Sequence, residues 1–327
     1  MERKQILLFF QRLAILIFIV ITVDRIGGYA LKTLYFSQKK GQFSQITYSL
    51  DSTKHDILIF GSSRAIRHYA SDILVNSLGK SVYNVGMDGQ MIPYYSALQE
   101  VILARYNPEM IILDINPWEL NRGEAKYHKL SALLPYVEES PELLKYVSYA
   151  SDMESIKLYS KIYPYNSSLF IGLYNLILKN RLPNYINGYL PLERVMNYRE
   201  YKDSKDKFVY EAKAEEKQKD VYDLRSIDLL RQFLKKAEER DIKVMVIISP
   251  AIFSNSFNDT KLQKLKGIVA EYPNIAFFDY SKDKDFIDHY ELFADVFHLN
   301  KAGAKVFTTK LANIIKSNRL NTRVTFR

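Results

Sequence analysis

Apolar positions fall into three kinds of run along the chain. The longest is residues 6–23, ILLFF, then Gln11-Arg12, then LAILIFIVITV. As a helix it would extend about 27 Å, close to the thickness of a bilayer core. Short apolar runs bounded by turn residues follow at 57–60, 81–85, 110–115, 242–249 and 274–278. Runs of this kind predict buried parallel strands. Between them lie stretches with helical spacing or helix-end signals. Residues 65–78 stop at Gly79, residues 93–106 begin with Pro93, and Leu224, Ile227, Leu230, Phe233 and Leu234 share one helical face. Further helices are predicted over 262–272 and 301–316. Strands alternating with helices imply an α/β fold, a doubly wound five-stranded parallel sheet.

The alternation breaks at residues 120–220. Helical stretches at 141–149 and 168–178, a tyrosine-rich stretch and a charged run at 202–219 occupy this region. It reads as a helical insertion over the carboxyl edge of the sheet, either a lid or a packing subdomain. The organisation expected is an N-terminal transmembrane anchor at 1–25, a juxtamembrane connector at 26–52, and an α/β domain at 53–327 carrying the insertion 120–220. Arg3, Lys4 and Arg12 precede or enter the first apolar run, which places the N-terminus in the cytoplasm and the rest outside it. Asp24 and Arg25 spoil the small-residue site a signal peptidase needs, so the span reads as uncleaved. Arg12 either snorkels to the near interface or pairs with a partner helix.

Composition narrows the chemistry. The 327 residues are 47% hydrophobic and 13% aromatic, as in a folded protein. There is no cysteine, which excludes disulfides, thiolate metal sites and cysteine nucleophiles. The formal charge of +9 suits an anionic surface such as a membrane or an acidic polymer. It is spread along the chain without a nucleic-acid-binding signature, so no nucleic acid is expected. Neither a clustered metal-ligand spacing nor G-x-G-x-x-G is present, so neither metal nor cofactor is expected.

The strand at 57–60 ends in Gly61-Ser62-Ser63, a turn that would hold a serine at the carboxyl end of the sheet, where open α/β sheets place ligands. A serine hydroxyl needs a base to accept its proton, and the base needs a third group to orient it. Of five histidines only His298 has a carboxylate three residues earlier, Asp295, on a loop before the last helix. Asp295 could then reach Nδ1 while Nε2 faces Ser63. Donors for a developing oxyanion could come from the N–H of Gly89, after the second strand, and the side-chain amide of Asn116, after the third. Taken singly, Ser63 is also a helix-start residue, Gly89 a turn residue and Asn116 a strand-end cap.

This order of blocks resembles the SGNH (GDSL-type) hydrolase superfamily. The four blocks correspond to Gly61-Ser62-Ser63, the Asn84-x-Gly86-x-x-Gly89 loop, Asn116, and Asp295-x-x-His298, within residues 55–118 and 222–318. The resemblance implies Ser63 as nucleophile, the Ser63 N–H, Gly89 and Asn116 as the oxyanion hole, His298 as base and Asp295 as its orienter. Two blocks depart from the family pattern: Ser62 stands in the usual Gly-Asp-Ser, and Gly-x-Asn-Asp is reduced to Asp114-Ile115-Asn116-Pro117. Gly-Ser-Ser, the anchor, the insertion and the closing Asp-Val-Phe-His-Leu-Asn-Lys-Ala-Gly-Ala are similar to one branch. It includes the D-alanyl-transfer protein of teichoic acid modification and the alginate O-acetylation proteins. That branch implies a membrane-anchored acyltransferase or esterase moving an acyl group, acetyl by analogy, on an envelope polysaccharide beside a multi-spanning membrane O-acyltransferase. The competing reading is an inactive scaffold of the same fold that binds such an acyltransferase.

Overall fold

The computed structural model describes residues 3–166, 172, 175, 177, 183–205, 221–252 and 259–317. The helix expected at 168–178 and the charged run at 202–219 lie largely outside these residues. Five strands, β1 (Ile57–Phe60), β2 (Val82–Asn84), β3 (Met110–Asp114), β4 (Lys243–Ile248) and β5 (Ala276–Asp279), form one sheet. Its order is β2-β1-β3-β4-β5 and every pairing is parallel. The five apolar runs thus become five strands of one parallel sheet, as their buried-strand pattern predicts.

The helices in chain order are α1 (Arg3–Phe36), α2 (Gly41–Asp51), α3 (Ser63–His68), α4 (Ser71–Leu78), α5 (Ile92–Arg105), α6 (Ala125–His128), α7 (Leu144–Val147), α8 (Glu154–Lys157), α9 (Leu224–Glu238), α10 (Asp259–Ala270), α11 (Lys284–Ile287) and α12 (Lys301–Lys316). Alternate strand residues divide the core. Ile57, Ile59, Met110, Ile112, Met245 and Ile247 pack with Tyr69 of the α3–α4 bend, Leu74 of α4, and Phe307 and Leu311 of α12. Phe60 points the other way, edge-on to Phe233 of α9 at 5.3 Å. α9 is tied to α5 by Gln99 Nε2 donating to the Phe233 carbonyl at 2.9 Å. Burying one such phenylalanine is worth about 1.5–3 kcal/mol.

Two compact units divide the chain: Met1–Ser44 with Leu130–Leu182, and Gln45–Lys129 with Pro183–Arg327. The second holds the whole sheet. Within it, part of the inserted region returns along the carboxyl ends of the strands. Asn84 N–H donates to the Asn187 carbonyl, Leu190 N–H to Ile66, and Met196 N–H to Phe293. In the first unit α1 is long and apolar enough to cross a membrane. It runs on to Phe36 because its last turns gain partners there. Tyr35 is buried, stacked on Phe43 at 4.6 Å and edge-on to Tyr136 at 5.8 Å.

Local departures from the periodic reading have packing causes. The helix expected at 65–78 is two helices. Thr308 Oγ1 accepts from Ala70 N–H and donates to the His68 carbonyl, taking both groups out of a continuous helical ladder. The stretch 141–149 starts as a 3-10 turn, Pro141–Leu143, before the single turn of α7.

Candidate active site

The site grows from the end of β1. Gly61 has φ +149, and a Cβ there would lie 2.7 Å from the Asp114 carbonyl oxygen. Only glycine lets β1 turn this close to β3. Ser63 follows as the first residue of α3, so its hydroxyl stands at the top of the sheet. The neighbouring β2 loop is pinned to the same end: Met87 N–H donates to the Gly61 carbonyl, and Asn84 bonds both the Ala65 carbonyl and Gly86 N–H.

His298 arrives from the loop before α12. Its Nε2 lies 2.8 Å from Ser63 Oγ, and its Nδ1 lies 2.9 Å from both oxygens of Asp295. A carboxylate at Nδ1 selects the tautomer with the proton there and leaves Nε2 free to accept from the serine hydroxyl. Asp295 also accepts from the N–H groups of Phe297 and His298, at 2.9 and 3.0 Å. Burial works to raise the Asp295 pKa, but the His298 ring and these two N–H donors outweigh it and hold the carboxyl below its ordinary range. Asn300, two residues on, caps α12 by accepting from Gly303 N–H.

The structure therefore joins Ser63, His298 and Asp295 in one hydrogen-bonded chain across 235 residues. Gly89 and Asn116 follow β2 and β3, the two neighbours of β1, so their loops flank the serine turn. Neither hydrogen-bonds a member of that chain among the described residues. Gly89 has φ +71, and its carbonyl accepts from Lys129 Nζ at 2.8 Å. Asn116 is buried and starts the 3-10 turn Pro117–Leu120, its N–H donating to Glu119 Oε1 at 3.0 Å. Its own Oδ1 has no hydrogen-bond partner among the described residues.

A second layer was not singled out from the sequence. His68, fully buried, accepts from Leu299 N–H at Nε2 and meets Ser249 Oγ at Nδ1, both at 3.0 Å. Nδ1 must then carry the proton, and the ring ties the helix that Ser63 opens to the loop of His298 and the end of β4. Burial first, then His298 and Arg64, hold its pKa well below the ordinary value, so it stays neutral. Arg64 and Asp114 form a buried ion pair at 3.2 Å, and Tyr69 Oη donates to Asp114 at 2.7 Å. Glu119 is a second buried carboxyl. Burial, reinforced by Asp114 and opposed by the Asn116 N–H and Arg64, raises its pKa to about 7. The signal for this layer was an acid inside or beside an apolar run, Asp114 after MIIL and Glu119 in NPWEL, because buried acids require partners.

The hydrogen-bonded chain can move a proton from a hydroxyl to an imidazole and stabilise the resulting imidazolium. Among the described residues no group of three or more His, Asp or Glu is arranged to hold a metal ion. No family model matches this chain, and no curated protein matches it closely enough to lend it an identity.

Proposed function

We propose that this protein is a membrane-anchored serine acyltransferase or esterase of the SGNH type, acting outside the cytoplasm on an envelope polysaccharide. The observation that carries the reading is the relay from Ser63 Oγ through His298 to Asp295 at 2.8 and 2.9 Å. Support at the level of the fold comes from the strand order 2-1-3-4-5, that of one doubly wound class, which binds ligands between β1 and β3. Ser63 and Asn116 follow these two strands.

In this reading Ser63 Oγ attacks an ester carbonyl carbon as its proton passes to His298 Nε2. The carbonyl π pair becomes an oxyanion, stabilised by the N–H groups of Ser63 and Gly89 and the Asn116 side-chain amide. The tetrahedral intermediate collapses, the C–O bond to the leaving alkoxide breaks, and the alkoxide takes the proton from His298. An acyl-Ser63 remains. A sugar hydroxyl or water then gives its proton to His298, attacks the acyl carbon, and the reverse sequence frees the serine. Water is the default acceptor, so transfer needs a bound hydroxyl and a sheltered site. A membrane O-acyltransferase beside this protein is the proposed source or recipient of the acyl group.

A fluorophosphonate probe tests the reading. Wild type is expected to label, and Ser63→Ala to lose both the label and esterase activity, by on the order of 10³-fold or more. Ser62→Ala should keep both. A folded wild-type protein that never labels would favour the scaffold reading instead.

A further inference from the structure

The end of the apolar run in α1 is clamped to one short segment of the same compact unit. Asp24, the residue after Val23, accepts from Ser160 Oγ, from Lys161 N–H at 2.9 Å and from Ile162 N–H at 3.4 Å. Arg25 donates to the Tyr159 carbonyl at 2.9 Å. Gly28 sits against the backbone of Lys161 so closely that a Cβ would lie 2.5 Å from its carbonyl carbon. Residues 159–162 are thus held where α1 leaves its apolar stretch.

Just before that clamp, three large apolar side chains are exposed. Met153, Ile156 and Tyr159 are 55%, 61% and 77% accessible. They are spaced by three around the single turn of α8, a spacing that places side chains on a common side. Glu154, between them, is turned inward, bonded to Tyr163 Oη and Lys157 Nζ. A soluble surface rarely gathers such residues without use, and a tyrosine among them is the type that settles at headgroup level. Met153 lies seven residues before Ser160, about 11 Å along a helical path, enough to cross a headgroup layer of about 5–8 Å.

We propose that Met153, Ile156 and Tyr159 form a second membrane contact, dipping into the headgroup–acyl boundary of the bilayer that α1 crosses. Continuity with the span selects lipid as the occupant: the patch is covalently and hydrogen-bond tethered at the level where α1 meets the headgroups. This contact rests on the membrane-anchor part of the proposed function. One helix alone can tilt and rotate; a second contact beside it would restrain both.

The chain has no cysteine, so single introduced cysteines label uniquely. The full-length protein carrying Ile156→Cys, Tyr159→Cys or, as a reference within the span, Ile17→Cys is labelled with a fluorophore and reconstituted in vesicles of phosphatidylcholine and phosphatidylglycerol. Iodide quenches from water, and lipids brominated near the headgroup end of the acyl chain quench from the bilayer. The expected result is loss of iodide quenching and gain of bromolipid quenching at 156 and 159, as at 17. Lipid contact at 17 with full iodide access at 156 and 159 overturns the second contact and leaves the anchor standing. Shielding of 156 and 159 from both quenchers also overturns it, because a protein then covers the patch. No bromolipid quenching at 17 overturns the anchor itself, and the second contact with it.

Discussion

Single residues set the acid–base character of the site. His298 and Asp295 are three residues apart, so a local turn suffices to bring them together, and the N–H groups of Phe297 and His298 hold the carboxylate in place. Glu119 behaves in the opposite way, because its burial, reinforced by Asp114, outweighs the Asn116 N–H and Arg64 that favour its charged form. Folded, it titrates at about 7 against an ordinary 4.5. Between those values the folded chain keeps a proton that the unfolded chain has released. The stability this group contributes is full below pH 4.5 and is lost as pH rises through 7, by on the order of 3 kcal/mol. Glu119→Gln, which cannot ionise, is therefore expected to gain thermal stability relative to wild type as pH is raised from about 5 to about 8. Calorimetry of both proteins across that range checks it, and a constant difference in Tm would show that Glu119 is ionised throughout.

At the scale of elements, the site depends on how helices start. Ser63 opens α3 and Asn300 opens α12, so both halves of the Ser63–His298 contact sit at helix N-termini. Asn300 does more than cap. Its Nδ2 donates to the carbonyls of Glu291 and Phe293, which lock the loop that carries Asp295 and His298. Asn300→Ala is expected to cost about 1–3 kcal/mol of stability through the lost cap and the orphaned carbonyls, and to lower esterase turnover with it. Asn300→Asp keeps the capping oxygen and loses only the Nδ2 donors, so its Tm should fall less. Thermal unfolding followed by circular dichroism, with p-nitrophenyl acetate turnover alongside, separates the two. Equal Tm values for the pair would assign the whole effect to the loop carbonyls.

At the scale of the whole molecule, the division into units predicts which pieces survive alone. The relay lies entirely within Gln45–Lys129 and Pro183–Arg327, while Tyr136 of the other unit is buried against Tyr35 and Phe36 of α1. Removing residues 1–44 alone strips that tyrosine cluster of its cover. Such a truncation is expected to aggregate, whereas one that also replaces 130–182 by a flexible linker should stay monomeric and keep the fluorophosphonate label at Ser63. Gel filtration and labelling of the two truncations decide the point; loss of label from a monomeric double truncation would tie the removed unit to catalysis. The anchor makes a separate prediction. With Arg3 and Lys4 ahead of the span, alkaline phosphatase fused at Arg327 is expected to be active and a cytoplasmic reporter at the same place silent. The reverse pattern would place the Ser63–His298 site in the cytoplasm and remove the envelope polysaccharide from the proposed function.

What the sequence determined by itself was everything that depends on short spacing. The five apolar runs became strands because a parallel sheet buries both faces, which leaves the pattern no freedom. Gly79 closed a helix, Pro93 opened one, and Asp295 paired with His298, all through neighbours within a few residues. Only tertiary structure decided the rest. Ser63 meets His298 because sheet order and the packing of α12 on α3 bring distant loops together. One expected helix became α3 and α4 because Thr308, from a distant helix, satisfies the backbone at the break. His68 and Arg64 look ordinary in the sequence, and Asp114 stands out only as an acid ending an apolar run, since a residue's burial and partners are properties of the assembled core. The division of the inserted region was hidden for the same reason: Tyr136 packs on Tyr35 and Phe36 of α1, about a hundred residues away, and no local pattern records it.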